Sequence, residues 1–153
     1  MITLTDMLSA DCIKLDMEAR RKKKAVIELV DLLAEAGKIE YPAELADEII
    51  ERESLASTGI GHGIGIPHCL TNRLDRTVMA FGRSEGGIPF DAADSKPVHL
   101  VFLLAGPKTA TAQHLQILSK LSRLLTEKDF REKLLEVHSP EEVVELFRQG
   151  EMV

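Results

Sequence analysis

The chain has 153 residues, and 19 Lys and Arg against 25 Asp and Glu leave a formal charge of −6. With 44% hydrophobic and 29% charged residues it lies outside the disordered and collagen-like classes and is long enough to bury a core of two or three layers. An acidic chain with no Trp and one Tyr lacks the basic, stacking surface of nucleic-acid binders, and without an apolar run of about 18 residues or a basic-then-apolar start, neither a membrane span nor a secretory signal is expected.

In chain order, Cys12 to Leu15 reads as a brief strand after a short leader. Val26, Leu29, Val30 and Leu33 then recur at the spacing of one buried helix face, and Gly37 ends that helix. A second helix is expected from about Ala43 to Glu53, with Pro42 near its start and Leu45, Ile49 and Ile50 facing inward. After a glycine-rich stretch, Thr77 to Gly82 and Val98 to Ala105 read as central strands, the second apolar enough to be buried on both faces. The Gly, Pro, Asp and Ser content between them predicts a loop with at most a short strand at Ile88 to Phe90, where Asp91 and Asp94 close turns.

Beyond Gly106 and Pro107 the pattern is helical to the end. His114, Leu118, Leu121 and Leu125 share a face, Thr126 is placed to cap the following helix, and Ser139 opens the last one in a capping-box arrangement with Glu142. With no internal repeat and no linker, residues 1–153 are expected to form a single domain of the α/β (α+β) class: a mixed β-sheet flanked by helices.

The most informative segment is Ser57 to His68, in which Gly occupies positions 59, 61, 63 and 65. If extended, it puts the glycines on one face and Ile60, His62, Ile64, Ile66 and His68 on the other. A bare glycine face admits a backbone or a phosphate closely, and amides of a Gly-rich turn can cradle an anion; the plainer reading is a tightly packed strand or turn. The segment matches neither common nucleotide-binding glycine pattern.

Zinc-capable side chains are present in His62, His68, Cys69 and His114. Six residues of extended chain, roughly 20 Å, separate the first two, so joint ligation is not expected unless the glycines fold back sharply. No metal and no cofactor are expected. Cys12 and Cys69 are too isolated for a disulfide framework and suit a reducing cytoplasm, and a Cys69 nucleophile would lack a third, orienting group. The run Arg20 to Lys24 reads as a solvated helix face or a contact for an acidic partner, and His99 and His138 carry no motif.

The residues STGIGHGIGIPH at 57–68, preceded by Glu51, Arg52 and Glu53, together with PFDAADSKPVHLVFLLAGP at 89–107 and Gln113-His114-Leu115, resemble the IIA components of the bacterial phosphotransferase system (PTS). The likeness is to the fructose/mannitol type, and in particular to the nitrogen-regulatory branch. It implies a three-layer α/β/α sandwich and a phosphocarrier in which His68 accepts a phosphoryl group from an HPr- or NPr-type carrier protein. Its output would be phosphorylation-dependent contact with regulatory targets or, alternatively, transfer to the cysteine of a IIB component in sugar uptake.

By the same resemblance His114 and Arg52 would stabilise the phosphoryl charge, and the chemistry of the glycine stretch makes Thr58, Gly59, Gly61, His62 and Gly63 candidate phosphate contacts. Two positions depart from the pattern: His62 stands where Asn is usual, and Gly65 where Ala is common. A neutral imidazole suits the role, since its ordinary pKa of about 6.5 leaves a lone pair available at neutral pH, and a loose phosphoryl transition state asks mainly for positioned charge and donors. If His114 starts its helix, the helix dipole is expected to lower its pKa.

Overall fold

The computed structural model describes residues 3–152. Six strands form one mixed sheet in the order β1 (Ile13–Lys14), β5 (Val78–Ile88), β6 (Val98–Pro107), β3 (Ile64–Gly65) and β2 (Gly59–Gly61), with β4 (His68–Thr71) also paired to β6. Successive side chains of a strand point to opposite faces, and here both faces are buried. Val78, Ala80, Val101 and Leu103 pack against α2 (Lys22–Glu35) and α3 (Pro42–Leu55). Met79, Phe81, Phe102 and Leu104 pack against α1 (Leu4–Met7), α4 (Thr111–Thr126), α5 (Lys128–Glu136) and α6 (Pro140–Glu151). The result is the expected three-layer α/β/α arrangement.

The helices follow their sequence signals where local chemistry is sufficient. α2 buries Ala25, Val26, Leu29, Val30 and Leu33, and Gly37 beyond it takes a φ of +73°, a conformation that favours glycine. α3 begins on Pro42, whose missing N–H would be unpaired in the first turn anyway. Ser139 caps α6 by accepting from the Glu142 amide at 3.3 Å.

Other expectations are corrected. Thr126 is the last residue of α4 and donates its hydroxyl back to the Ser122 carbonyl at 2.8 Å, so α5 starts without it. The leader contains α1, whose amides at Leu4 and Thr5 donate to Glu151 at the far end of the chain. β5 runs on to Ile88 through a bulge after Arg83, because antiparallel pairing with the long apolar β6 extends it past the apolar run that marked it.

The largest correction concerns the glycine segment. It folds back as a hairpin, β2 to β3, on a two-residue turn in which His62 (φ +57°) and Gly63 (φ +77°) are both left-handed. Two-residue hairpin loops favour this conformation because it matches the twist of the strands, and Asn, Asp and His are the side chains that tolerate it best. His62 in place of the usual Asn therefore keeps the turn chemistry.

Gly65, the other departure, lies under Phe90: a Cβ there would come within 2.7 Å of the ring. Phe90 is fully buried, so it has little room to yield. Gly65→Ala is expected to lower stability by about 1–3 kcal/mol. An unfolding midpoint in urea equal to that of wild type would show that the ring moves aside freely.

Candidate functional site

Strands β3 and β4 both run parallel to β6, one beside Leu100 and Val101 and the next beside Leu104 to Pro107, and the short link Ile66-Pro67 joins them. The Pro67 carbonyl accepts the Leu104 amide at 3.0 Å, which delivers His68 as the first residue of β4, opposite Leu104. The His68 side chain is half-buried in an open cleft of about 540 Å³ whose walls are α3 (Glu48, Glu51, Arg52, Leu55) and α4 (His114, Leu115, Leu118), with Cys69 and Leu70 of β4 beside it.

The ring nitrogens of His68 are not equivalent. Nδ1 lies 2.7 Å from the Ile66 carbonyl oxygen. A carbonyl can only accept, so the proton of neutral His68 sits on Nδ1 and the lone pair on Nε2. An imidazole held in this way is chemically able to act as a nucleophile through Nε2.

His114, the fourth residue of α4, stacks obliquely on it with ring centroids 5.4 Å apart and is itself buried. Burial, and secondarily the nearby His68, push the His114 pKa down to about 4. The expected lowering is there, with desolvation as its main cause. His114 Nδ1 is buried and has no hydrogen-bond partner among the described residues, so a proton there would be desolvated and unpaired. The neutral ring is better served by carrying its proton on Nε2, as an uncharged donor.

Arg52 sits exposed on the last turn of α3 and, among the described residues, makes no hydrogen bond or ion pair, so its guanidinium is available to an anion in the cleft. Glu48 is engaged: it accepts the Thr71 hydroxyl at 2.8 Å and pairs with Arg73 at 3.3 Å. Cys69 points to the opposite face of β4, into the core under α2 and α3, where burial and then the Glu48 charge push its thiol up to about 12. A thiol so protonated is no nucleophile, which removes the Cys69 alternative.

Of the residues expected to serve the phosphate, the fold thus brings together His68, His114 and Arg52. Thr58, Gly59, Gly61, His62 and Gly63 are not among the residues lining the cleft. Gly59 and Gly61 lie against Ala92 and Asp94 of the loop before β6, Gly63 lies against His99 of β6, His62 donates its amide to Asp94 at 3.2 Å, and Thr58 is turned inward onto Glu53. The hairpin's glycines serve close packing, because the chain reverses before it reaches His68. No group of three or more His, Cys, Asp or Glu side chains suited to a metal ion occurs among the described residues. Glu53, which accepts the Thr58 amide at 2.8 Å and pairs with Lys22 at 3.0 Å, is a buried contact of Thr58 to which sequence reasoning gave no role. The signal for Glu53, a carboxylate one residue after Arg52 and five before Thr58, is plain only once the hairpin is known.

Residues 6–150 match the family described as phosphoenolpyruvate-dependent sugar phosphotransferase system, EIIA 2. The chain belongs to this family. Among relatives of this IIA chain, the fructose-specific EIIA component of Haloferax volcanii is 42% identical over 91% of this chain and 90% of its own length. The fructose-specific EIIABC component of Bacillus subtilis is 38% identical over 95% of this chain, which spans only 23% of that longer protein. The nitrogen regulatory protein of Escherichia coli is 35% identical over 98% of this chain and 92% of its own.

Two solved structures carry the comparison into three dimensions. The nitrogen regulatory protein IIA-Ntr of Neisseria meningitidis superposes with a TM-score of 0.86 at 37% identity, covering 94% of this chain and 98% of that one. Enzyme IIAMtl of E. coli, in its complex with phosphorylated enzyme IIBMtl, superposes with a TM-score of 0.80 at 26% identity, covering 93% and 97%. Among the described residues no helix of the IIA chain is long and apolar enough to cross a membrane.

The buried, neutral His114 makes stability pH-dependent. Its folded pKa of about 4 lies below the unfolded value of 6.5, so unfolding takes up a proton between them. The stability this group contributes is complete above 6.5 and is lost as pH falls toward 4, by about 3 kcal/mol in all. Wild type should therefore lose more stability than His114→Gln between about pH 7 and pH 4, measured by urea unfolding. Parallel losses in the two proteins would mean that His114 titrates normally.

Proposed function

We propose that this IIA chain accepts a phosphoryl group on His68 Nε2 from the phosphohistidine of an HPr- or NPr-type carrier protein, acting as one domain in the cytoplasm without metal or cofactor. The observation that carries the reading is the Nδ1 contact to the Ile66 carbonyl, which leaves the lone pair on Nε2 in a cleft shared with a neutral buried histidine and an unpaired arginine. Nε2 attacks phosphorus, the carrier's P–N bond breaks, and its electron pair returns to the carrier nitrogen. His68 keeps its Nδ1 proton on the Ile66 carbonyl throughout. Because the transferred group spreads its charge over its equatorial oxygens, His114 and Arg52 assist as donors and no general base is required.

The output we propose is regulatory: phosphorylation changes which protein the cleft face contacts. Leu55 and Leu115, exposed at 78% and 60%, border His68 and suit a protein surface. A phosphate adds roughly −1.5 to −2 charges there, enough to favour a basic partner over an acidic or apolar one. The likeness to the nitrogen regulatory proteins supports this.

A second reading, transfer to a IIB cysteine in sugar uptake, is favoured by the 42% identity to a fructose-specific EIIA and by the IIAMtl complex with phosphorylated IIBMtl. Phosphorylated chain mixed with a fructose-type IIB domain separates the two. Retention of the phosphoryl mass, together with a pull-down partner that depends on phosphorylation, supports regulation. Rapid loss of that mass to the IIB domain makes transport the better reading.

A further inference from the structure

Glu53 is a buried carboxylate that accepts three donors. The Thr58 amide lies 2.8 Å from one oxygen, the Thr58 hydroxyl 2.5 Å from the other, and Lys22 Nζ of the first turn of α2 3.0 Å from the first. The Lys22 ammonium is also seated 5.1 Å from the centre of the Phe90 ring. A carboxylate taken out of water is tolerated only when paired and hydrogen-bonded in this way, and such an arrangement is directional.

The network continues beyond Thr58. The Thr58 carbonyl accepts the Ile66 amide at 3.2 Å, and the Ile66 carbonyl accepts His68 Nδ1 at 2.7 Å. One unbroken series of bonds thus runs from the Lys22–Glu53 pair, through Thr58 and the Ile66 peptide, to the nitrogen that decides which face of the His68 ring is nucleophilic. Around the glycine hairpin, this series ties the end of α3 to the His68 end of the segment.

We infer that Glu53, supported by Lys22, is a positioning residue for His68, holding Thr58 and hence the Ile66 carbonyl where they keep the imidazole in its Nδ1–H tautomer; the inference rests on the phosphoryl-acceptor reading of His68. Without a fixed carbonyl, the ring has no partner to hold its proton on Nδ1, and molecules with the proton on Nε2 cannot attack phosphorus. Glu53 touches neither the phosphoryl group nor the reacting nitrogen. Its effect is on the fraction of molecules poised to react.

The test reads the tautomer directly. In ¹⁵N-labelled protein at about pH 8.5, where imidazole is neutral, long-range ¹H–¹⁵N spectra of wild type should show a protonated Nδ1 and an unprotonated Nε2 at His68. Glu53→Gln should show a mixture of tautomers and accept phosphate from the carrier several-fold more slowly, in proportion to the Nδ1–H fraction lost. Thr58→Val, which keeps the Lys22–Glu53 pair and removes one of its three donors, should shift in the same direction by less, and Thr58→Ser should restore both readouts.

If Glu53→Gln does not fold, Thr58→Val decides. A folded variant that is less stable yet keeps the wild-type tautomer and rate overturns the inference and reduces Glu53 to a structural ion pair. The tautomer is read without any phosphate. A wild-type chain that takes no phosphoryl group while Glu53→Gln still mixes the tautomers would therefore sink the acceptor reading and support the positioning one.

Discussion

His68→Gln should accept no phosphoryl group. Incubated with phosphoenolpyruvate, enzyme I and an HPr-type carrier, wild type is expected to gain one acid-labile phosphoryl mass and the variant none, read by intact-mass spectrometry at neutral pH. The expectation is all-or-none because the cleft holds no substitute nucleophile: the Cys69 thiol is buried on the far side of β4 and pushed up to about 12, and His114 has its Nδ1 enclosed. Gln removes the lone pair while keeping a polar side chain of similar reach, so folding should survive. Stoichiometric labelling of His68→Gln would move the nucleophile elsewhere and end the reading developed above.

The second large effect is expected at His114. His114→Ala should fold but accept phosphate about 100- to 1000-fold more slowly, equivalent to about 2.7–4 kcal/mol of transition-state stabilisation for a positioned donor. The loss should appear in the transfer step and leave the affinity for the carrier nearly unchanged, since His114 is buried and contributes little surface to a docking partner. The neutral state of the ring matters for direction as well as rate. A second cation at His114, added to Arg52, would deepen the phosphorylated state and slow onward transfer, whereas an uncharged donor assists the transferring group with less stabilisation of the product. Rapid-quench kinetics of His114→Ala that match wild type would return the residue to a packing role under α4.

What could be read from the sequence is what depends on neighbours along the chain. The apolar spacing of Val26, Leu29, Val30 and Leu33, the Pro42 start of α3, the Ser139 cap and the doubly buried β6 are local patterns, and the structure carries all of them. The resemblance, resting on the glycine segment and the 89–107 and 113–115 motifs, led to the family and to the layered fold. Thr126 misled because a helix end is decided by packing beyond it: α4 continues one residue further to bury Leu125, and the hydroxyl is used within the helix.

The sequence by itself determined the class of the chain, because residue type and spacing are sufficient for that, and its resemblance pointed to the family, with His68, His114 and Arg52 as candidate residues. Only the tertiary structure decided that the glycines reverse the chain in a hairpin, since alternation along an extended strand and left-handed φ at His62 and Gly63 are equally permitted by the same letters. It also decided which nitrogen of His68 is free, why His114 is neutral, and that Glu53 and Lys22 meet at Thr58. Those properties arise from a carbonyl, a desolvated pocket and an ion pair that join residues from separate elements, and no pattern along the chain encodes the distance between them.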